Sequence, residues 1–446
     1  MFGFIKRLTG RQAPALVNDD PFGRDLVPPA SVPQSVPTPQ REVPPAVLQR
    51  DEIIDARTRI AGYRFAARLP GSPNESNARV THEVLCSNNV AAFAERRLAL
   101  IPIGIQDWHR FDYRPLIGVH TVFLLDPPAD PEQVGPWQEV AASIRLAGAR
   151  VAMNSVDISN NRELIRESAD LLLIDFPAYA LPNLERAVKA LKREQPKLEL
   201  IAENVSRWPE HRLCISLGVA YSMGAFTTCS DEEDQSGEIS QSRLVLIEML
   251  NLLRQDADLG DIANIAKRDP GVALKLVAIA NSPILALSQA VTSIEQAIMV
   301  LGREQLYRWL SMAMFRAGAG SPRDEVLLEI ALARGRFLEL AGRNRHTKAE
   351  CDEFFLVGLL SLLDSLLGVP MARIVERLQL SDAIKAVLLH SDGPLGRYLM
   401  LAIAVEKGRV ENVARLADLL GIPLMDIELA STEALAWADD AVRLTQ

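Results

Sequence analysis

Apolar residues follow two rhythms along this chain, and the rhythm changes near residue 230. Before that point short apolar runs recur: "EIIDARTRIAGYRFAAR", "LALIPIGI", "HTVFLLDP", "ARVAMNSV", "ADLLLIDF", "LELIAENV" and "VAYSMGAF". Runs of this length, bounded by polar residues, Gly or Pro, predict buried strands. Between them, residues 76–96, 134–147, 182–194 and 208–217 place apolar side chains three and four apart, as at Leu184, Ala187, Val188 and Leu191, which predicts helices. Strand alternating with helix implies crossovers, hence a parallel sheet closed or nearly closed into a β/α barrel. At roughly 185 residues the stretch falls short of the about 250 such barrels commonly use, so a lean barrel with missing helices, or an incomplete one, is expected.

Beyond the acidic, polar segment "CSDEEDQSGEISQS" at 229–242 the strand-like runs stop. The pattern there predicts helices at 243–255, 259–267, 270–281, 293–301, 303–316, 323–342, 350–367, 371–378, 381–390, 395–406, 410–419 and 423–442. Their punctuation is explicit: Asp269 caps a helix with Pro270 in its first position, Ser293 caps the next with Gln296 three residues on, and Gly302 follows its end. Several, such as "RLVLIEMLNLL", are apolar on most sides, which suits helices inside a compact bundle.

The 446 residues exceed what one hydrophobic core usually holds. The chain divides into a short amphipathic tail (1–11), a proline-rich linker (12–48), the barrel (49–230), an acidic linker (231–242) and the helical domain with a C-terminal extension (243–446). The tail, "MFGFIKRLTGR", fits a frayed end or a short peptide that touches a membrane or partner. The linker fits a solvated spacer or a P-x-x-P ligand. A net charge of -9 argues against a general nucleic-acid binder, which needs dense Lys and Arg to displace counterions from phosphate. Cys86, Cys214, Cys229 and Cys351 form no C-x-x-C pair, so no zinc knuckle or redox motif is expected and a reducing cytosol fits. The longest apolar stretches, such as 354–360, fall far short of the roughly 18 residues a membrane-spanning helix needs. A cytoplasmic protein without a transmembrane segment is therefore expected.

The run "DPGVALKLVAIANSPILALSQAVTSIEQAIMVLG" at 269–302 carries D-P, A-N-S-P, S-I-E-Q-A and L-G in succession. That succession, through Asp269, Pro270, Asn281, Ser282, Pro283, Ser293, Gln296 and Gly302, resembles the signature of HDOD domains. These are similar to HD-type metal phosphohydrolases but look stripped of the metal ligands. The downstream "GLLSLLDSLLGVPM", "GPLGRYLMLAIAVEKG" and "EALAWADDAV" look like the helical tail found where an HDOD domain follows an EAL domain. The resemblance covers residues 50–446. EAL domains are β/α barrels that, when active, hydrolyse the bacterial second messenger cyclic di-GMP with two metal ions.

Laid on that pattern, the barrel keeps the frame and changes the chemistry. The resemblance places a metal-binding glutamate at Arg64, an asparagine ligand near Gly104, another glutamate near Phe123 or Leu124, and a paired aspartate at Asn154 and Ser155. It places a lysine at Leu173, a later glutamate at Ser206 and a ligand-holding glutamine at Met223, while Asp175, Glu203 and Gly224 are kept. Two hard cations need a ring of several oxygens to offset their repulsion and lost hydration, which Asp175 and Glu203 cannot supply alone. An ion-pair network with Arg64 is the role expected for them. Residues 240–446 contain only His346 and His390, neither directly before Asp, so an HD metal centre is not expected either. His346 reads as an exposed loop residue. Walker A, G-x-S-x-G and H-E-x-x-H patterns are absent from the sequence.

The expected function is a bacterial signalling scaffold without catalysis, acting by protein contact in cyclic di-GMP-related regulation such as motility or biofilm formation. No cofactor, metal or nucleic acid is expected, and cyclic di-GMP binding is not favoured. Partners are expected to be other signalling proteins, or further copies of the chain, on the HDOD helices from 259 to 316. A sensor that binds a cyclic dinucleotide without cleaving it, through Arg64, Arg68, Trp108 and Phe226, is the alternative. The least favoured reading is an atypical phosphodiesterase built around Asp126, Asp175 and Glu203.

Overall fold

The computed structural model describes residues 46–69, 78–128, 130–155, 162–231, 239–281, 290–317 and 321–444. The amphipathic tail, the linker up to residue 45, and Ser282 and Pro283 lie outside the described residues.

Strand β1 (Val47–Asp55) pairs antiparallel with β2 (Ile60–Arg68). It takes in Val47 and Leu48, read above as the end of the linker, because both lie beyond the last proline and are buried. The segment read as one helix at 76–96 forms two, α1 (Ala78–Ser87) and α2 (Val90–Ala94). Asn89, in the left-handed region at φ 51, turns the chain between them. There follow β3 (Leu98–Pro102), β4 (Thr121–Leu125), α3 (Val134–Leu146), β5 (Arg150–Ser155), α4 (Arg162–Ser168), β6 (Leu171–Asp175), α5 (Leu181–Glu194), β7 (Glu199–Glu203), α6 (Trp208–Ser216) and β8 (Tyr221–Ser222). Strands β2 to β8 pair in parallel, and β8 meets β1 antiparallel, so the eight strands close a barrel. The barrel is lean, as its length implied, but it is closed.

Side chains alternate across each strand, so one set fills the barrel and the other faces outward. Ile53, Leu98, Leu100, Val122, Leu124, Ala152, Leu171, Leu173, Ile201 and Met223 form the internal core. The outward set joins a single large core that runs on into the helical half.

That half contains α7 (Gln241–Arg254), α8 (Leu259–Ala266), α9 (Pro270–Ala280), α10 (Ile294–Arg316), α11 (Pro322–Gly342), α12 (Lys348–Leu360), α13 (Leu363–Leu367), α14 (Met371–Arg377), α15 (Asp382–His390), α16 (Gly393–Glu406), α17 (Val410–Leu420) and α18 (Leu424–Leu444). The break expected at 302 is present: Gly302, at φ 68 and ψ 168, interrupts α10. Helices α11 and α12 cross so closely that a Cβ at Gly358 would stand 2.5 Å from the Gly335 Cα.

The hairpin β1–β2 has no crossover helix, and α11, α16 and α18 cover its outer face. Arg97, just before β3, donates to both carboxylate oxygens of Glu329 on α11 at 2.6 and 3.1 Å. It also lies 2.6 Å from Asp439 on α18. The Tyr63 hydroxyl donates to Glu329 at 3.2 Å, and Arg50 donates to the Ser431 carbonyl at 3.0 Å. Burial pushes the Glu329 carboxyl above the usual carboxylate range, against the pull of Arg97. Helix α11 is buried nearly all round despite Arg323, Asp324, Glu329, Arg334 and Arg336, and partners such as Glu406, 2.7 Å from Arg334, offset that charge.

Candidate functional site at the barrel mouth

Parallel strands bring their C-terminal ends to one rim, where barrels of this kind build their sites. Arg64 stands midway along β2 and points inward. Its Nε donates to Asp51 Oδ2 at 3.0 Å, its Nη2 lies 2.9 Å from the same oxygen, and its Nη1 donates to Glu203 Oε2 at 2.5 Å. Asp51 is the cross-strand partner of Arg64 on β1, and Glu203 ends β7. One guanidinium thus bridges two strands, using its fork of fixed donors. Burial opposes the Arg64 charge, but Asp51 and Glu203 outweigh it and hold the pKa above the ordinary arginine value.

The rest of the rim is polar and paired locally. Asn154, in β5, donates to Asp126 at 2.6 Å, and Ser155 follows it as the last residue of that strand. Asp175, expected beside Glu203 as a partner of Arg64, instead accepts a hydrogen bond from Asn204 at 2.8 Å. Asn204 takes the left-handed conformation at φ 58, which turns the chain out of β7 and brings its amide to Asp175. Leu173 and Met223, in the places where the resemblance puts a lysine and a glutamine, are buried in the barrel core and form an apolar floor. Gly224 keeps a place no side chain fits: a Cβ there would lie 2.1 Å from the Val205 carbonyl oxygen.

A two-metal centre does not fit these residues. Among the described residues no three or more His, Cys, Asp or Glu side chains are grouped to hold a metal ion. The two carboxylates that do converge, Asp51 and Glu203, have a guanidinium between them. In the helical half His346 is not the exposed loop residue expected. Its ring packs 4.9 Å from Phe354, with Nε2 3.2 Å from the Tyr398 hydroxyl, because the turn after α11 folds back on α12 and α16. His390 ends α15, and Asp392 caps α16 by accepting from the Gly393 amide at 2.8 Å.

The motif residues at 269–302 act on the backbone. Asp269 accepts from the amides of Gly271 and Val272 at 2.8 and 3.1 Å, with Pro270 leading the helix. Asn281 exchanges two hydrogen bonds with the Val291 backbone, both 2.7 Å. Ser293 caps α10 at the Gln296 amide, 3.2 Å away, and the Gln296 side chain accepts from the Thr292 amide at 3.1 Å. The spacing of these residues therefore records a local fold of caps and clamps.

Sequence reasoning missed Asp51 and the interface residues Tyr63, Arg97, Glu329 and Asp439. Asp51 lies in the hairpin, but its pairing with Arg64 depends on a register shift between Ile53 and Ile54, and Arg97 and Glu329 lie 232 residues apart with no local mark.

The HDOD domain family matches residues 241–391. The chain is 24% identical over 408 residues to the cyclic di-GMP phosphodiesterase CdgJ of Vibrio cholerae serotype O1, covering 89% of this chain and 93% of that protein. It is 26% identical over 262 residues to the uncharacterized protein YuxH of Bacillus subtilis, covering 58% of this chain and 63% of that one. Among solved structures, an EAL domain protein from Listeria monocytogenes EGD-e aligns with a TM-score of 0.34 at 12% identity, over 41% of this chain and 87% of its own. The Bacillus subtilis YkuI protein, with an EAL domain, in complex with substrate c-di-GMP and calcium, aligns at 0.34 and 16% identity, over 40% and 54%. The similarity to CdgJ overturns one expectation. Loss of catalysis was inferred from missing ligands alone, yet a relative matched along nearly its whole length bears the name of an enzyme. The helical half of this chain carries an HDOD domain, at residues 241–391.

Proposed function

We propose that this chain is a cyclic di-GMP-related signalling protein whose output passes through protein contacts of its HDOD domain. The observation that carries this reading is the similarity to CdgJ over 89% of the chain, which runs through barrel and helical half together. Support for the contact surface comes from Leu274 on α9 and Met299 and Val300 on α10, large apolar side chains left exposed within 259–316. Apolar side chains left in water gain free energy when a partner covers them. Other signalling proteins or further copies of the chain suit such a face. Capture from the native cell by the full-length chain should be lost on Leu274→Asp and Met299→Asp, which lie too far out to disturb the core. Capture unchanged by both would contradict the reading.

A second reading, phosphodiesterase action on cyclic di-GMP, is favoured by the name of CdgJ and by Asp126, Asp175 and Glu203 standing at the ends of β4, β6 and β7. Purified full-length chain incubated with cyclic di-GMP and Mg²⁺ or Mn²⁺ tests it. Linear dinucleotide that forms with wild type and not with Glu203→Gln supports turnover. Calorimetric binding of the dinucleotide without product points to a sensor.

A further inference from the structure

We infer that Arg64 is a tethered cation standing in the place of a divalent metal ion at the barrel mouth, and that it decides whether the mouth takes such an ion up. The inference is independent of the contact reading, and turnover that needs a divalent ion held by Glu203 would contradict it.

Three features converge on this assignment. Asp51 and Glu203 come from β1 and β7, the strands on either side of β8, and both carboxylates accept from Arg64. The guanidinium takes one oxygen of each carboxylate; Asp51 Oδ1 is left to Gln49 Nε2 at 3.0 Å. The cation is held from one side by its own strand, and the floor below, Leu173, Ile201 and Met223, is apolar and buried. Such a floor cannot solvate charge, so the two carboxylates depend on whatever cation lies between them.

Two carboxylates and one guanidinium leave one net negative charge, where a divalent ion would leave none. Hard divalent cations prefer carboxylate oxygens and retain several waters, so two carboxylates at an open rim suffice for a weak site once the arginine is gone. With the arginine present, an incoming divalent ion must displace a bridging group that is covalently attached and hence at high effective concentration.

The test is Mn²⁺ titration of the full-length chain, with free Mn²⁺ followed by electron paramagnetic resonance. Wild type and Arg64→Lys, which both keep a cation, should show no saturable site. Arg64→Met should bind about one Mn²⁺ per chain at least tenfold more tightly than wild type, a shift of about 1.4 kcal/mol, and Arg64→Met/Glu203→Gln should lose it. Thermal melts provide a second readout: Mn²⁺ should raise the Tm of Arg64→Met and leave wild type unmoved. Arg64→Gln carries the same expectation as Arg64→Met if the latter fails to fold, because its amide can still donate to Asp51. The inference is overturned if a folded Arg64→Met or Arg64→Gln titrates like wild type. Wild type binding one Mn²⁺ that Glu203→Gln abolishes would overturn it equally.

Discussion

Tyr63 and Arg64 are adjacent on β2, and their side chains leave the barrel wall on opposite faces: Tyr63 donates to Glu329 of the helical half, and Arg64 bridges Asp51 and Glu203 at the mouth. Strand alternation alone produces this division. Their cross-strand partners divide the same way, Asp51 turning inward with Arg64 and Glu52, opposite Tyr63, turning toward the helices. One hairpin therefore connects the candidate site to the domain interface, and substitutions at either end test how much each contact contributes.

At the interface, Arg97→Met should cost about 3–5 kcal/mol, because it leaves the buried Glu329 carboxylate without Arg97 and takes one cation from Asp439, which still lies 3.8 Å from Arg96. Glu329→Gln should cost less, about 2 kcal/mol, since Arg97 keeps Asp439 and the amide still accepts from Tyr63. Urea unfolding of both variants and of Arg97→Met/Glu329→Leu checks this. The double variant should recover part of the single loss; strict additivity would show that the pair is not coupled.

At the mouth, the structure separates two carboxylates that look alike in sequence. Glu203→Gln removes a bridging partner of a guanidinium whose side chain is 27% exposed, and should lower stability by about 1–2 kcal/mol. Asp175→Asn breaks only an exposed hydrogen bond to Asn204 and should stay within about 0.5 kcal/mol of wild type. Equal melting temperatures for the two variants would argue against the bridge.

Helix packing gives a third expectation, with its own control. Gly358→Ala places a methyl against the Gly335 backbone, within 2.6 Å of the Gly335 nitrogen, and should destabilise by about 1–3 kcal/mol. Gly135→Ala, on the exposed first turn of α3 with nothing within 4 Å, should stabilise by up to about 1 kcal/mol through helix propensity. The signs of the two changes in denaturation midpoint check the crossing of α11 and α12.

Much of this was legible in the sequence, for identifiable reasons. The apolar rhythm marked the strands, and Asp269, Ser293 and Gly302 marked helix ends because caps work within three residues. Asp51 stayed hidden for a specific reason. Ile54 pairs with Ile60, whereas Ile53 pairs with Gly62, so a register shift lies between Ile53 and Ile54. Counted straight from the turn, Asp51 would face Tyr63, on the wrong side of the sheet; the irregularity restores it to Arg64. The Arg97–Glu329–Asp439 cluster was invisible because charged residues on a helix look the same whether they face water or a second domain.

Glu52 supplies the pH dependence. It lies between β1 and the helices, with Thr227 donating at 3.4 Å, and burial raises its carboxyl from 4.5 to about 7. Lys407 pulls it down while Glu406 and Asp51 push it up, and Arg50 and Arg334 face it from β1 and α11. In the folded state Glu52 therefore holds its proton over a range where the unfolded chain has released it. The folded form binds more protons between pH 4.5 and about 7, so this group's contribution is fully favourable below that window and is lost as pH rises through it. With solvent reaching part of the side chain, the loss should be roughly 1–3 kcal/mol. Glu52→Gln keeps the shape without the titration. Its Tm should exceed wild type at pH 8, and the gap should close on approach to pH 4.5. A gap that stays constant across that range would show that Glu52 does not titrate there.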